Sequence, residues 1–168
     1  MDRLIHLPLL MILGCLVLTG PVNAVETDRC PPTQEDEMGP FYRPGAPLRS
    51  VVGQGHVLLG TVKAAVDCEP IAAALIEFWM TGPDGWYDDA YRAAVITGQS
   101  GTYRFESHYP GLYASRPAHI HIRVSAEGFE TLTTQYYLQP DQTDGHFDLV
   151  LRSRAEGAPA STNPPPRE

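Results

Sequence analysis

Positive charge is scarce in this chain: 12 Lys and Arg stand against 20 Asp and Glu, a formal net charge of -8. With a pI near 5.1, nucleic acid and anionic membrane surfaces are poor partners, because both recruit proteins through basic patches. Cysteine is scarce as well, three in 168 residues. No internal repeat, no heptad pattern and no helix of convincing length is legible, so solenoids, coiled coils and helical bundles are set aside. Long apolar runs are missing beyond the first 18 residues, and the one near the start is short and interrupted by Pro8, unsuited to a membrane-spanning helix.

That opening run has a different reading. Arg3 supplies a basic start, apolar residues continue to Leu18, and Val22-Asn23-Ala24 fits a small-residue cleavage site. Residues 1–24 are therefore expected to be a signal peptide and the mature protein to be exported, periplasmic or extracellular. The alternative is a lipoprotein, since Ile12-Leu13-Gly14-Cys15 loosely matches a processing site that would lipidate Cys15. Membrane contact is expected only in that case. Cleavage near Ala24 leaves Cys30 and Cys68, two thiols that an oxidising compartment allows to pair.

What the chain does have is short runs of β-branched and aromatic residues bounded by Gly, Pro, Asp or Ser. They fall at 55–66, 73–80, 91–97, 102–106, 118–126, 131–138 and 146–151. Their spacing predicts an all-β fold, a β-sandwich of short, mostly antiparallel strands. The chain is large enough to bury one core. The expected organisation is a Pro- and Gly-rich arm over 25–50, a sandwich over 51–152 and a disordered tail over 153–168 containing Pro164-Pro165-Pro166.

The candidate chemistry lies at Pro110-Gly111-Leu112-Tyr113-Ala114-Ser115-Arg116-Pro117-Ala118-His119-Ile120-His121. On a strand, residues two apart share a face, so His119 and His121 project together while Ile120 and Ile122 face a core. By itself a His-x-His pair is equally two polar positions on an amphipathic strand. As a ferrous or zinc site it would need a carboxylate. A cupin-like site wants a glutamate three or four residues after the second His, whereas the first acidic residue is Glu127, just before Gly128. Tyrosine offers a second chemistry, because a bound cation favours the phenolate and that hard oxygen suits ferric iron. Tyr113 precedes the His pair, and the Gly82-Pro83-Asp84-Gly85 turn presents Tyr87.

Trp79, Gly85 and Tyr87, then Gly101-x-Tyr103-x-Phe105, Pro110-Gly111-x-Tyr113, Arg116-Pro117-Ala118-His119-Ile120-His121 and Leu132-Thr133-Thr134-Gln135 occur in this order and spacing. Over about 33–151 the chain thereby resembles the intradiol ring-cleavage dioxygenases, typified by protocatechuate 3,4-dioxygenase and catechol 1,2-dioxygenase. The resemblance implies an oxidoreductase with one non-haem Fe(III) held by Tyr87, Tyr113, His119 and His121. It implies a catechol-type diol and O2 as substrates and a cis,cis-muconate-type product. Tyr113 would leave the metal and act as a base, while Arg116 and Gln135 would orient the substrate and stabilise charge on its ring. The segment Thr33–Tyr42 matches one that lies across the sandwich near the site. The short stretch before Gly39 leaves no room for the helical dimerisation domain of catechol-type relatives, so a homo-oligomer remains open and cannot be borrowed from them. Trp79 and Phe105 are expected in the core, His56, His108 and His146 on surface strands or turns, and Glu77, Asp88 and Asp89 on a solvated face. Two rivals remain: a metal-free transthyretin-like binding sandwich, and a ferrous or zinc enzyme using both His and a carboxylate.

Overall fold

The computed structural model describes residues 28–155. The expected signal peptide, Cys15 and most of the expected tail lie outside the described residues. Among the described residues there are eight strands and no helix. In chain order they are β1 (His56–Ala64), β2 (Leu75–Thr81), β3 (Tyr87–Ile96), β4 (Thr102–Ser107), β5 (His119–Ser125), β6 (Leu132–Tyr137), β7 (Asp144–His146) and β8 (Leu149–Leu151).

These strands form two sheets. One runs β3-β2-β5-β6, all antiparallel. The other places β1 between β4, antiparallel, and β7, parallel, with β8 also parallel to β1. The all-β sandwich is thus present, with two adjustments. The run expected at 146–151 divides into β7 and β8, and β3 begins at Tyr87, four residues before the expected Tyr91. The second adjustment matters most, since it puts Tyr87 on a strand rather than in the turn.

Alternation explains the layers. From β2 come Ile76, Phe78 and Met80, from β5 Ile120, Ile122 and Val124, and from β1 and β4 Leu58, Val62 and Phe105, all fully buried. Phe78 and Phe105 stack across the two sheets with centroids 4.3 Å apart and planes within 2°. Burying side chains of this size contributes roughly 1.5–3 kcal/mol each. The opposite face of β2-β5-β6 carries Glu77, Trp79, His119, His121, Arg123, Gln135 and Tyr137. A single-layer account would leave that face in water. Here the arm covers it, and Trp79, His119, His121 and Gln135 are all at most 5% exposed.

Backbone hydrogen bonds fasten the arm along its length. Cys30 N–H donates to Ala65 O, Thr33 N–H to Val150 O, Asp36 N–H to Thr133 O and Arg49 N–H to Ala94 O. Cys30 and Cys68 form a disulfide, with Cα atoms 5.5 Å apart and the partners 38 positions apart in sequence. Closing a loop of that length stabilises the fold by about 4 kcal/mol in the chain-entropy account. At the far end, Ser153 bridges to Phe129 and Arg154 N–H donates to Gly128 O, so ordered pairing continues two residues into the segment expected to be a disordered tail.

Candidate active site

Register builds the site. Trp79 of β2 lies opposite His121 of β5. His121 lies opposite Gln135 of β6, and His119 opposite Tyr137. The outer faces of three strands therefore meet at the end of β5 where the chain enters from Pro117.

Tyr87 reaches this point from the start of β3. Its hydroxyl lies 3.3 Å from His119 Nε2 and 3.0 Å from His121 Nε2, and the two imidazole nitrogens are 3.2 Å apart. The tautomer of His119 follows from its other nitrogen. Nδ1 is 2.7 Å from the Pro117 carbonyl, which can only accept, so Nδ1 carries the proton and Nε2 presents a lone pair. His121 has no hydrogen-bond partner for Nδ1 among the described residues. Burial lowers the pKa of both rings, His121 to about 3 with a further push from His119, so both are neutral. Burial raises Tyr87 to about 12. The Arg116 charge opposes that rise without overcoming it, so with no metal ion bound Tyr87 is a phenol.

Packing fixes the ring planes. Trp79 stacks on His121 at 4.9 Å with planes 5° apart. From the other side comes Gly39, whose φ of +68° is costly for other residues and where a Cβ would stand 3.1 Å from His121 Cε1. Phe41 stacks on Tyr87 at 4.3 Å. Trp79 is buried as expected, yet its indole is a wall of the site, not part of the inter-sheet core.

Tyr113 arrives on a separate turn. Gly111 permits this, because a Cβ there would lie 2.5 Å from Gly85 N and 2.6 Å from Gly82 O. The two turns are also joined by Gly111 N–H donating to Gly82 O and by the Thr81 hydroxyl donating to Gly111 O. Tyr113 meets Tyr87 edge to face at 5.6 Å and Phe41 at 5.4 Å. It engages through its ring, and its hydroxyl makes no hydrogen bond among the described residues.

Arg116 and Gln135 are brought to the same place. Arg116 Nη2 donates to Gln135 Oε1 at 2.8 Å, and Gln135 Nε2 donates to the Glu37 carbonyl at 2.6 Å. A small cavity of about 120 Å³ opens beside Tyr87, lined by Phe41 and Trp79 and by the charged Arg43, Asp88, Asp89 and Arg92. Arg92 contributes as structure, its guanidinium taken by Asp89 and by the Arg43 and Pro44 carbonyls.

Two expectations about other residues are corrected. Glu77 is not solvated: it is 5% exposed and receives Arg123 Nη1 at 3.0 Å and the Tyr42 hydroxyl at 2.9 Å. Its charge is neutralised by Arg123, and burial together with Glu77 raises Tyr42 to about 12. His56 is not on the surface either: it is fully buried in β1, facing Tyr136 at 5.9 Å between centroids. His108 is half-buried, donating from Nε2 to Thr81 O, and His146 is exposed.

Could these atoms hold a metal? Three polar atoms within 3.0–3.3 Å of one another, two of them nitrogens on neutral imidazoles, all lie within about 2 Å of a common point, a normal reach for imidazole and oxygen ligands. Among the described residues no three His, Cys, Asp or Glu side chains converge to hold a metal. A metal here would therefore draw on tyrosine oxygen, and the donor set suits a hard, highly charged ion.

Residues 47–156 match the family described as Dioxygenase. A chlorocatechol 1,2-dioxygenase of Pseudomonas putida is 32% identical over 135 residues, covering 60% of this chain and 52% of that protein. The chain belongs to the intradiol ring-cleavage dioxygenase family. Another member, a hydroxyquinol 1,2-dioxygenase of a Rhizobium strain, is 29% identical over 83% of this chain and 58% of its own. Among solved structures, the dioxygenase domain of a dioxygenase and carbohydrate-binding protein fusion from Streptomyces sp. SirexAA-E superposes with a TM-score of 0.67 at 28% identity. It covers 74% of this chain and 100% of that domain. This intradiol chain spans about half the length of the curated relatives it matches.

Proposed function

We propose that this chain binds one non-haem Fe(III) and uses O2 to cleave a catechol-type diol between its two hydroxylated carbons, giving a cis,cis-muconate-type product. The observation that carries this reading is the meeting of the Tyr87 oxygen with the Nε2 atoms of two neutral histidines. Tyr87, Tyr113, His119 and His121 would hold the ion. Bound ferric iron supplies a Lewis acid and template that makes the chelated diol reactive toward O2.

The protein's own residues account for the rest. Tyr87 is tied down by Phe41 and both imidazoles, whereas Tyr113 is held only through its ring, which suits it to swing aside and take a hydroxyl proton from the arriving diol. Arg116 brings a permanent positive charge beside the two imidazoles and Tyr87, and that charge stabilises negative charge developing on the substrate. The Phe41 and Trp79 rings exclude water around the ligands, which strengthens that attraction.

Relatives named for chlorocatechol and hydroxyquinol support a small aromatic diol as the substrate class. Export is part of the proposal too. It rests on the leader-like residues 1–24 and on the Cys30–Cys68 disulfide, a bond that persists in oxidising compartments.

The test is the visible absorption spectrum of the Fe(III)-loaded mature protein, recorded anaerobically before and after adding catechol, followed by product formation in air. The expected result is a broad tyrosinate-to-iron band that shifts with catechol, and ring-opened product. Stoichiometric iron without colour would remove tyrosine from the ligand set and end this reading.

A further inference from the structure

Nothing in the sequence pattern marks Tyr137 or Asp36, yet both complete a closed ring of hydrogen bonds around Arg116. Arg116 Nη2 donates to Gln135 Oε1 at 2.8 Å and to the Tyr137 hydroxyl oxygen at 3.1 Å. That nitrogen carries two hydrogens, so both are used. With its oxygen accepting from Arg116, Tyr137 gives its own proton to Asp36 Oδ2 at 2.9 Å. Asp36 Oδ1 lies 3.4 Å from Gln135 Nε2, whose main bond is to the Glu37 carbonyl at 2.6 Å. Asp36 is in turn pinned to β6 through its own N–H and Thr133 O.

The accounting decides who is free to meet a substrate. Gln135 spends its oxygen on Arg116 and its amide hydrogens on the arm. Tyr137 spends both its lone pair and its proton within the ring. Arg116 alone retains donors, on Nε and Nη1, with no protein partner among the described residues. The ring stands beside the ligand candidates, since Tyr137 pairs across the strands with His119 and Gln135 with His121.

We propose that Tyr137 and Asp36 are positioning residues that fix the Arg116 guanidinium toward the bound diol, and that Gln135 acts with them through Arg116 rather than by touching substrate. The inference rests on the diol-binding reading given above. A flexible arginine side chain loses considerable rotamer freedom when ordered, and the ring meets that cost before substrate arrives.

The test uses Fe(III)-loaded protein and anaerobic optical titration with catechol, together with iron content, the resting spectrum and kcat/KM. Tyr137→Phe and Asp36→Ala are each expected to weaken catechol binding and lower kcat/KM by about 10- to 100-fold, the scale of a misplaced orienting group. Iron content and the resting band should stay unchanged. Asp36→Asn keeps an acceptor for the Tyr137 proton and should recover most of the loss. In an Arg116→Ala background, Tyr137→Phe should add nothing further, because its effect passes through the guanidinium. The proposal is overturned if the Tyr137→Phe and Asp36→Ala proteins titrate like wild type, if their effects persist undiminished without Arg116, or if iron is lost with them. A wild-type protein whose band does not respond to catechol overturns the diol reading itself, and this inference with it, before any variant is made.

Discussion

The two faces of β5 carry opposite kinds of burial. Inward, Ile120, Ile122 and Val124 are fully buried among the apolar residues of the other sheet, where any side chain of similar shape and volume serves. Outward, His119 and His121 are nearly as buried, at 3% and 2% exposure, but beneath an arm without a named strand and beside polar atoms of fixed position. On the first face burial is the driving force. On the second it is a cost, because polar groups leave water, and it is tolerable only where each finds a partner. On this face the Tyr87 oxygen and the two Nε2 atoms crowd within 3.0–3.3 Å of one another.

The widest separation of the faces is expected from paired truncations. Ile122→Ala should cost about 2–5 kcal/mol through lost burial and a cavity, read as a fall in the denaturation midpoint, while the folded fraction still binds iron and shows the resting band. His121→Ala should do the reverse, with iron binding lost and a much smaller change in stability of the metal-free protein. Equal behaviour of the two variants in both assays would erase the distinction.

A subtler change probes the arm's contact with the outward face. Gly39→Ala places a methyl group 3.1 Å from His121 Cε1 at a φ of +68°, where left-handed backbone costs about 1–2 kcal/mol. The expected result is a destabilisation of that size together with weaker iron retention. Loss of stability alone, with retention untouched, would mean that the arm covers His121 without positioning it.

The smallest effect concerns His56, the exception on the apolar side. It is fully buried and both ring nitrogens are without hydrogen-bond partners among the described residues. Burial holds its pKa below the usual value near 6.5, partly offset by Asp144. The unfolded chain therefore binds a proton that the folded chain refuses, and stability falls as pH drops below about 6.5 toward the folded-state pKa. Above that value the penalty is absent. His56→Gln should make the dependence of the melting temperature on pH between about 6.5 and 5 shallower, measured on the metal-free protein, with the share due to the buried His119 and His121 left in place. An unchanged slope would assign the acid sensitivity elsewhere.

Much of this molecule is legible in its sequence, for reasons that differ by residue. The period-two alternation at His119–Val124 announces a strand with two histidines on one face, since side-chain direction there is set by the backbone alone. Tyr87 and Tyr113 stand out locally only as tyrosines beside a turn and beside the His pair, and it took the resemblance to a family to give them, with Arg116 and Gln135, a role. Asp36 and Tyr137 carried no signal at all. Their significance lies in hydrogen bonds between positions about 100 residues apart, Asp36 with Gln135 and Tyr137. Glu77 and His56 were misplaced for a related reason: polarity predicts exposure on average, but a partner such as Arg123, or a layer folded over the strand, overrides it.

By itself the sequence determined the strands, the apolar faces that drive them together, and the order of the ligand candidates, all properties of neighbouring residues and simple periods. Tertiary structure alone decided which outward face became an interior. The arm, bonded to Ala65, Val150 and Thr133 and stapled at Cys30, lies over β2, β5 and β6 and removes their polar residues from water. The pKa shifts of Tyr87 and His121 follow from that exclusion, as does the ring around Arg116, because both depend on groups distant in the chain being packed within hydrogen-bond reach.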